Sequence, residues 1–444
     1  MVIEPLRRVR RTTYDIPLTF GIRDALVRLA DLPPSLEVPY LTICLDWTPA
    51  GTDPGRDAAP LVKRSQWRVI RNDTGRQRRP ARTVMENELN RMIEEAGARG
   101  EVVEALRAAA DRIARYIDAE LDPAAQGVYI VANAALGVFE PIALGVPLET
   151  SVTAGPLPVL TPLAKQIDDH PAYMVLLADQ QEATIALIRR ARRGRTVWLE
   201  GTDYPKRTQR GGESQARYQR RVDERINAFA RHIADETLRA LQREEVDTLI
   251  VAGDEVITSA LNREFHHTVQ EAIVDTIRLS VNASEQEILD ATLPIAERVE
   301  REQELATVER IANAVAAGGR GVSGTTQVLR ALQMGQASGI AMVDDFREEG
   351  WADFTLDLYG TGPVPDTHPT GGDVANLVPV ALENEMIRLA VQTSARIEIV
   401  KTAVDGAPVG VPDGGEVPRT EAAQRLDALG GVGATLRYTA KPAS

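Results

Sequence analysis

Lys206-Arg207-Thr208-Gln209-Arg210-Gly211-Gly212-Glu213-Ser214-Gln215-Ala216-Arg217-Tyr218-Gln219-Arg220-Arg221 is the stretch from which the rest of the chain can be read. It is a basic, glycine-bearing loop that runs into a helical pattern. Adjacent glycines permit positive φ and a close approach of backbone to a ligand. Ser214 is a good N-cap, which puts Gln215 in the first turn, where free backbone N–H groups favour a phosphate or an oxyanion. The flanking arginines suit phosphate contacts, and Tyr218 could stack on a base or pack beneath the loop. A capped helix with a solvated arginine face would use the same residues, so the pattern alone leaves both readings open.

Working outward, Val222, Ile226, Phe229 and Ile233 recur on one helix face. Upstream, Tyr173–Ala178 and Ala183–Ile188 read as a hairpin, and Thr196–Leu199 as a third strand. Downstream, Val246–Gly253 is a buried strand, a helix follows, and Thr276–Ser280 closes the unit. Strands first and then alternating helix and strand make this an α/β domain. Before it lie a strand-like run at Val38–Trp47, a helical stretch from Thr83 to Leu121 broken near Gly97 and Gly100, and strands at Val128–Ala132 and Val138–Leu144. A proline-rich stretch (Pro147, Pro156, Pro158, Pro162) then reads as a linker. After it come a charged helix from Ser284 to Ala317, a helix at Thr326–Met334, strands at Gly339–Val343 and Arg396–Val400, and a helix at Leu382–Ser394. Gly360–Asn376 and Gly406–Pro418 read as surface loops. The expected organisation is α/β (α+β multidomain), with domains at 1–160, 165–283 and 284–444.

The 444 residues carry a formal net charge of −13, which on its sum disfavours a polyanionic partner. The distribution is uneven. Arg189–Arg231 holds thirteen Lys/Arg against five Asp/Glu, and Lys63–Arg82 holds eight against Asp73 alone. Polyanion binding follows the local field, although two solvated basic loops would give the same count. No uncharged apolar run spans a bilayer. The basic cluster Arg7, Arg8, Arg10, Arg11 has no apolar stretch after it, so no secretory signal is expected and the chain reads as soluble and cytoplasmic. One cysteine, Cys44, excludes a disulfide framework and a Cys-based zinc site.

The remaining candidates carry little chemistry. Among His170, His232, His266, His267 and His368 there is no helical H-x-x-x-H pair, adjacent His266 and His267 should point to different sides, and surface or helix-end positions are expected. Asp168-Asp169-His170 is explained as well by a turn as by a carboxylate cluster. Gly319–Thr326 lacks the lysine of a phosphate-binding P-loop and follows a helix, so it reads as a flexible interhelix turn. No metal and no cofactor is expected.

Arg-Gly-Gly-x-Ser-Gln-Ala-Arg-Tyr-Gln-Arg, entering a long helix after three strands, resembles the central domain of archaeal and eukaryotic class-one release factors and Pelota. It is similar also to their bacterial relatives in the Vms1/Ankzf1-type peptidyl-tRNA hydrolase group. Thr326–Gly335 followed by the strand at Gly339–Val343, and Ala395–Val400, resemble an L7Ae-like third domain. Gly430–Tyr438 is similar to the tail of bacterial homologues that include Balon-type hibernation factors. The resemblance covers about residues 165–444.

It implies an RNase H-like central domain with a Gly-Gly…Gln loop, an L7Ae-like C-terminal domain, and a factor that enters the ribosomal A site or an empty large subunit. Its partners would be the ribosome, tRNA and rRNA, with an elongation-factor-like GTPase as a further candidate and no membrane. Residue by residue, Gly211 and Gly212 would shape the loop and Gln215 would be the catalytic glutamine. Lys206, Arg207, Arg210, Arg217, Arg220 and Arg221 would hold RNA phosphates. Glu213 and Ser214 separate Gly212 from Gln215, whereas release factors have an uninterrupted Gly-Gly-Gln. No Asn-Ile-Lys-Ser stop-codon motif is present, so decoding is not expected. The implied function is a codon-independent peptidyl-tRNA hydrolase in ribosome rescue. The alternative is a non-hydrolytic A-site hibernation or stress factor; an RNA-end nuclease ranks last, because no acidic pair suits two metal ions.

Overall fold

The computed structural model describes residues 9–12, 22–49, 79–97, 100–123, 125–168, 172–189, 192–200, 213–403 and 418–438. They form two compact units, one of residues 1–16 with 170–303 and one of residues 17–169 with 304–444. The architecture is mixed α/β and multidomain, as the alternation of patterns predicts.

In chain order the first elements are β1 (Val9–Thr12), α1 (Ile22–Ala30), β2 (Tyr40–Asp46), α2 (Pro80–Glu95), α3 (Glu101–Arg115), β3 (Gly127–Asn133), β4 (Val138–Leu144), β5 (Ser151–Gly155) and α4 (Thr161–Asp168). The middle of the chain supplies β6 (Tyr173–Ala178), β7 (Glu182–Arg189), β8 (Arg192–Glu200), α5 (Glu213–Glu244), β9 (Leu249–Gly253), α6 (Glu255–Glu264), α7 (His267–Ala272), β10 (Ile273–Ile277) and α8 (Glu285–Ala316). The last part has β11 (Gly321–Ser323), α9 (Thr325–Gln333), β12 (Ala337–Val343), β13 (Glu349–Asp353), β14 (Leu358–Thr361), β15 (Val378–Ala381), α10 (Leu382–Gln392), β16 (Arg396–Val400), α11 (Glu421–Asp427) and β17 (Val432–Leu436).

The first unit is a six-stranded sheet in the order β1-β8-β7-β6-β9-β10. The four strands from β1 to β6 pair antiparallel, while β6–β9 and β9–β10 are parallel. Strand periodicity explains why both faces are covered. Met174, Leu176, Ile185 and Leu187 join Ile226, Phe229, Ile233 and Leu241 of α5 in one core, whereas Tyr173, Val175, Leu177 and Ile188 meet Ile288 of α8 in another. Helix α8 starts at a reciprocal cap: Glu287 accepts from Ser284 N at 2.7 Å, and Ser284 Oγ accepts from Glu287 N at 3.3 Å.

The second unit holds an antiparallel sheet, β4-β3-β2-β5. One face packs under α2 and α3 through Ile43, Leu45, Met85, Leu89, Leu106 and Ile113. The other face, with Tyr40, Cys44 and Tyr129, shares a core with α1, α4, Ile387 of α10 and Ile399 of β16. Residues far apart in sequence thus build one interior. Asn384 fixes the seam: its Nδ2 donates to Pro158 O at 2.9 Å, and its Oδ1 accepts from Leu160 N. Two further sheets, β11-β17-β12-β16 and β14-β13-β15, complete the unit.

Several expectations need correction. The proline-rich stretch is not a linker: it contains β5 and α4, with Leu160 and Leu163 fully buried. Proline is tolerated there because Pro162 lies in the first turn of α4, where no N–H donor is needed. Gly319–Thr326 is not a free turn, since residues 321–323 pair with β17 and a Cβ on Gly321 would stand 2.6 Å from Val315 N. The closing strand of the first unit lies at Ile273–Ile277, because its register is set by parallel pairing with β9. Gly360–Asn376 begins within β14 and, apart from buried His368, runs at or near the surface as expected; Gly406–Pro418 lies almost wholly outside the described residues.

Candidate nucleic-acid interface

Lys206, Arg207, Arg210, Gly211 and Gly212 lie outside the described residues. Gln215, Arg217, Arg220 and Arg221 fall in the first turns of α5, where the structure describes the backbone. The helix begins at Glu213, so Ser214 is inside it and is not its cap. An acidic residue at the first helical position is favoured by the positive end of the helix dipole, which accounts for the earlier start. Gln215 lies in the first turn of α5. Amides there have no intrahelical acceptor.

Helical phase adds a constraint. Gln215 precedes Ile226, the first residue that α5 is described to bury, by eleven residues, about three turns or 16 Å. Position 215 is therefore nearly in line with the stripe Ile226, Phe229, Ile233. Positions 217, 220 and 221 lie on the opposite side of the helix and share a face with one another. The glutamine position and the arginine positions thus belong to different faces of one rod. That rod is held by its C-terminal two-thirds: Thr237 and Ala240 are also buried, and Arg231 pairs with Glu264 of α6 at 3.0 Å.

At its other end the connection leaves β8 at Glu200. The strand's position is set on both sides, by β7 and by β1, with Arg10 opposite Trp198 and Arg11 opposite Val197. The N-terminal arginines were read from sequence only as a non-secretory cluster. No local signal could have found this pairing, because β1 is four residues long and its partner lies about 185 residues away.

The other sequence candidates resolve into structural roles. Asp168 Oδ2 accepts from Ile399 N, and Asp169 and His170 lie outside the described residues. His266 and His267 do not diverge; their ring centroids are 4.0 Å apart. Alternation fails because His266 is an extended cap residue that accepts from Thr268 N, outside any regular element. His368 is not at the surface. It is buried against Asp353 at 3.0 Å, and its Nδ1 accepts from Thr370 N at 3.2 Å. Bonds from the Thr355 hydroxyl and backbone, and from His368, hold the Asp353 carboxyl below its ordinary range. Among the described residues no group of three or more His, Cys, Asp or Glu could hold a metal ion, and no helix is long and apolar enough to cross a membrane.

Residues 158–297 match the family model described as bacterial archaeo-eukaryotic release factor family 10. The match spans α4 to the first part of α8 and includes the Gly211–Gln215 stretch. Peptide chain release factor subunit 1 of Methanocaldococcus jannaschii is 26% identical over 206 residues, covering 43% of this chain and 47% of that protein. Its counterpart from Thermococcus onnurineus is 22% identical over 307 residues, covering 63% and 69%. The chain spans about half the length of the first of these curated relatives. Among solved structures, Archaeoglobus fulgidus Pelota aligns over 71% of this chain and 80% of its own, with 16% identity and a TM-score of 0.28. S. cerevisiae Dom34, described as a translation termination-like factor, aligns over 71% and 74% with 10% identity and a TM-score of 0.34. The similarity to release factors that the family model records lies in the central segment of the chain.

Proposed function

We propose that this protein is a ribosome-associated, codon-independent rescue factor that hydrolyses peptidyl-tRNA. In this reading Gly211 and Gly212 form the turn that approaches the tRNA 3′ end. Gln215 positions a water against the ester carbonyl; the tRNA 3′ oxygen leaves and takes a proton. Glutamine does not titrate in the physiological range, so its contribution is placement, with first-turn amides of α5 available to the developing oxyanion. Lys206, Arg207, Arg210, Arg217, Arg220 and Arg221 clamp RNA phosphates. The observation that carries the proposal is the family match over residues 158–297, together with a helix that starts at Glu213 and so holds Gln215 in its first turn. The partners are the ribosome at its A site or as a split large subunit, tRNA and rRNA, and an elongation-factor-like GTPase as the delivering protein. The three-part division at 1–160, 165–283 and 284–444, with RNase H-like and L7Ae-like second and third domains, belongs to the same proposal.

One observation favours a second reading. Glu213 and Ser214 intervene between Gly212 and Gln215 and both are helical, so Gln215 is carried by a rod and not by a loop tip. A factor that occupies the A site without hydrolysis would tolerate this placement. The test is to incubate the protein, and Gln215→Ala, with stalled ribosomes and with split large subunits bearing labelled peptidyl-tRNA. Release by the wild type with at least about a 10²-fold loss in the variant, and ribosome binding retained, supports the hydrolase. Equal rates for both refute the role of Gln215. Binding with no release supports the non-hydrolytic reading.

A further inference from the structure

We infer that the cleft where β13 and β15 meet the start of α10 is a docking site for an arginine side chain of a partner protein. The cleft has a volume of about 530 Å³, within the range of ligand pockets. Glu348, Glu349 and Glu383 line it together with Arg347, and Pro363 and Pro379 supply apolar wall. Pairing brings these residues together. Glu349 lies opposite Ala381 in the β13–β15 ladder, and Leu382 N donates to Glu348 O at 2.9 Å, so the chain entering β13 is held against the chain entering α10.

Two features point to a cationic ligand. The first is an orphaned acceptor. Glu383 Oε2 is buried and has no hydrogen-bond partner among the described residues, and Oε1 faces Arg347 Nε only at 3.8 Å. The dipole of α10 favours a carboxylate in its first turn, which accounts for the charge of Glu383 but brings no donor to that oxygen. The second is uncompensated charge. Glu348 and Glu349 have no ion pair among the described residues, and Arg347 directs Nη1 to the carbonyls of Phe346 at 2.6 Å and Asp344 at 3.4 Å. Three carboxylates against one guanidinium repel phosphate, so the cleft does not extend the RNA contact. Among the described residues no group of three His, Cys, Asp or Glu converges closely enough for a metal ion. An arginine fits instead: its forked N–H donors can meet carboxylates on more than one wall, and its aliphatic stem can lie along the prolines. Glu348, Glu349 and Ala381 are exposed, so a side chain projecting from another protein surface can reach in.

Neither RNA binding nor hydrolysis enters this inference, so it stands or falls apart from the proposed function. The probe is a fluorescein-labelled acetyl-Gly-Arg-Gly-Arg-Gly-amide peptide, titrated with the full chain and followed by fluorescence anisotropy. Glu383→Gln and, separately, Glu348→Gln/Glu349→Gln should each weaken binding at least about tenfold. The second pair is exposed, so it tests the cleft even where Glu383→Gln disturbs packing. Replacing arginine by citrulline, which keeps the shape and removes the charge, should abolish binding. Glu88→Gln/Glu95→Gln takes two charges from the exposed face of α2 and should leave binding unchanged. Unchanged affinity in both cleft variants overturns the inference. So does an equal loss in the α2 pair, because the peptide is then drawn to an acidic chain in general. Equal binding of the citrulline peptide overturns it as well. Spermidine that binds more tightly than the peptide, with the same dependence on the cleft glutamates, replaces the partner protein by a polyamine.

Discussion

The trio Glu385, Arg388 and Tyr359 in the second unit permits a sharp double-variant test. Arg388 donates from Nε to Glu385 Oε2 at 2.9 Å, from Nη2 to the Tyr359 hydroxyl and from Nη1 to Gln392 at 3.3 Å, and its guanidinium lies 5.5 Å from the Tyr359 ring centroid. Glu385 is 2% exposed and Arg388 6%. At that depth the cost of stripping water from two ions offsets most of their attraction, so the intact pair contributes little net stability. Removing one partner is different, because the other charge stays buried and alone. Arg388→Met should therefore cost about 3–5 kcal/mol, and Glu385→Leu a similar amount. The double variant should recover most of this, with a coupling energy of at least about 2 kcal/mol. The assay is urea unfolding followed by the fluorescence of Trp47 and Trp351, both in this unit. Proton linkage gives a second readout. Burial outweighs Arg388 and raises the Glu385 carboxyl above its ordinary value of 4.5. A raised folded value favours the protonated form, so the associated stabilisation is complete below 4.5 and is lost as pH rises through the folded value. Glu385→Leu should remove that part of the wild-type pH dependence. Additive single effects, or a double variant as unstable as the worse single, would refute the reasoning.

Other predictions are local. Asp254 Oδ1 accepts from Val256 N at 2.8 Å and Ile257 N at 3.0 Å at the start of α6, so Asp254→Ala should lower stability by about 1 kcal/mol in a denaturant titration. A Cβ on Gly253 would stand 2.2 Å from Ala178 O, a backbone atom in the neighbouring strand; Gly253→Ala should cost about 1–3 kcal/mol, and a neutral result would mean that β6 and β9 are not so closely paired. Burial pushes the Cys44 thiol up to about 11. At pH 8 it should resist a thiol reagent in the native protein and react only as fast as the second unit unfolds; immediate labelling contradicts its placement.

What the sequence made legible follows from the range of the interactions. The hairpin β6–β7, the long helix α5 and the strands β12 and β16, though not their pairing, are marked by patterns that local composition carries. The sheet β14-β13-β15 was not visible. Its strands are only four or five residues long and include Gly350, Gly360 and Pro379; β13 and β14 form a local hairpin, while β15 joins β13 across more than 25 residues. Likewise, nothing near Pro158 announces that its carbonyl is claimed by Asn384. A proline-rich stretch looks like a linker until the partner 226 residues away is known.

The candidate site divides along the same line. Local rules were enough to place Gln215 in a first helical turn and to mark the arginine-rich approach. They placed the cap at Ser214, when the carboxylate of Glu213 also suits the first position of a helix. Phase then separates what the linear motif runs together. Position 215 follows the core line of α5, while positions 217, 220 and 221 lie behind it. A motif read as one patch thus becomes two sets of positions on two sides of a helix. Gln215→Ala and Arg217→Gln/Arg221→Gln should separate accordingly, the first lowering release at constant affinity and the second lowering affinity and its salt slope at constant rate when bound. Variants that move rate and affinity together would show that the two sides act on one ligand group, and the helical phase would not govern the site.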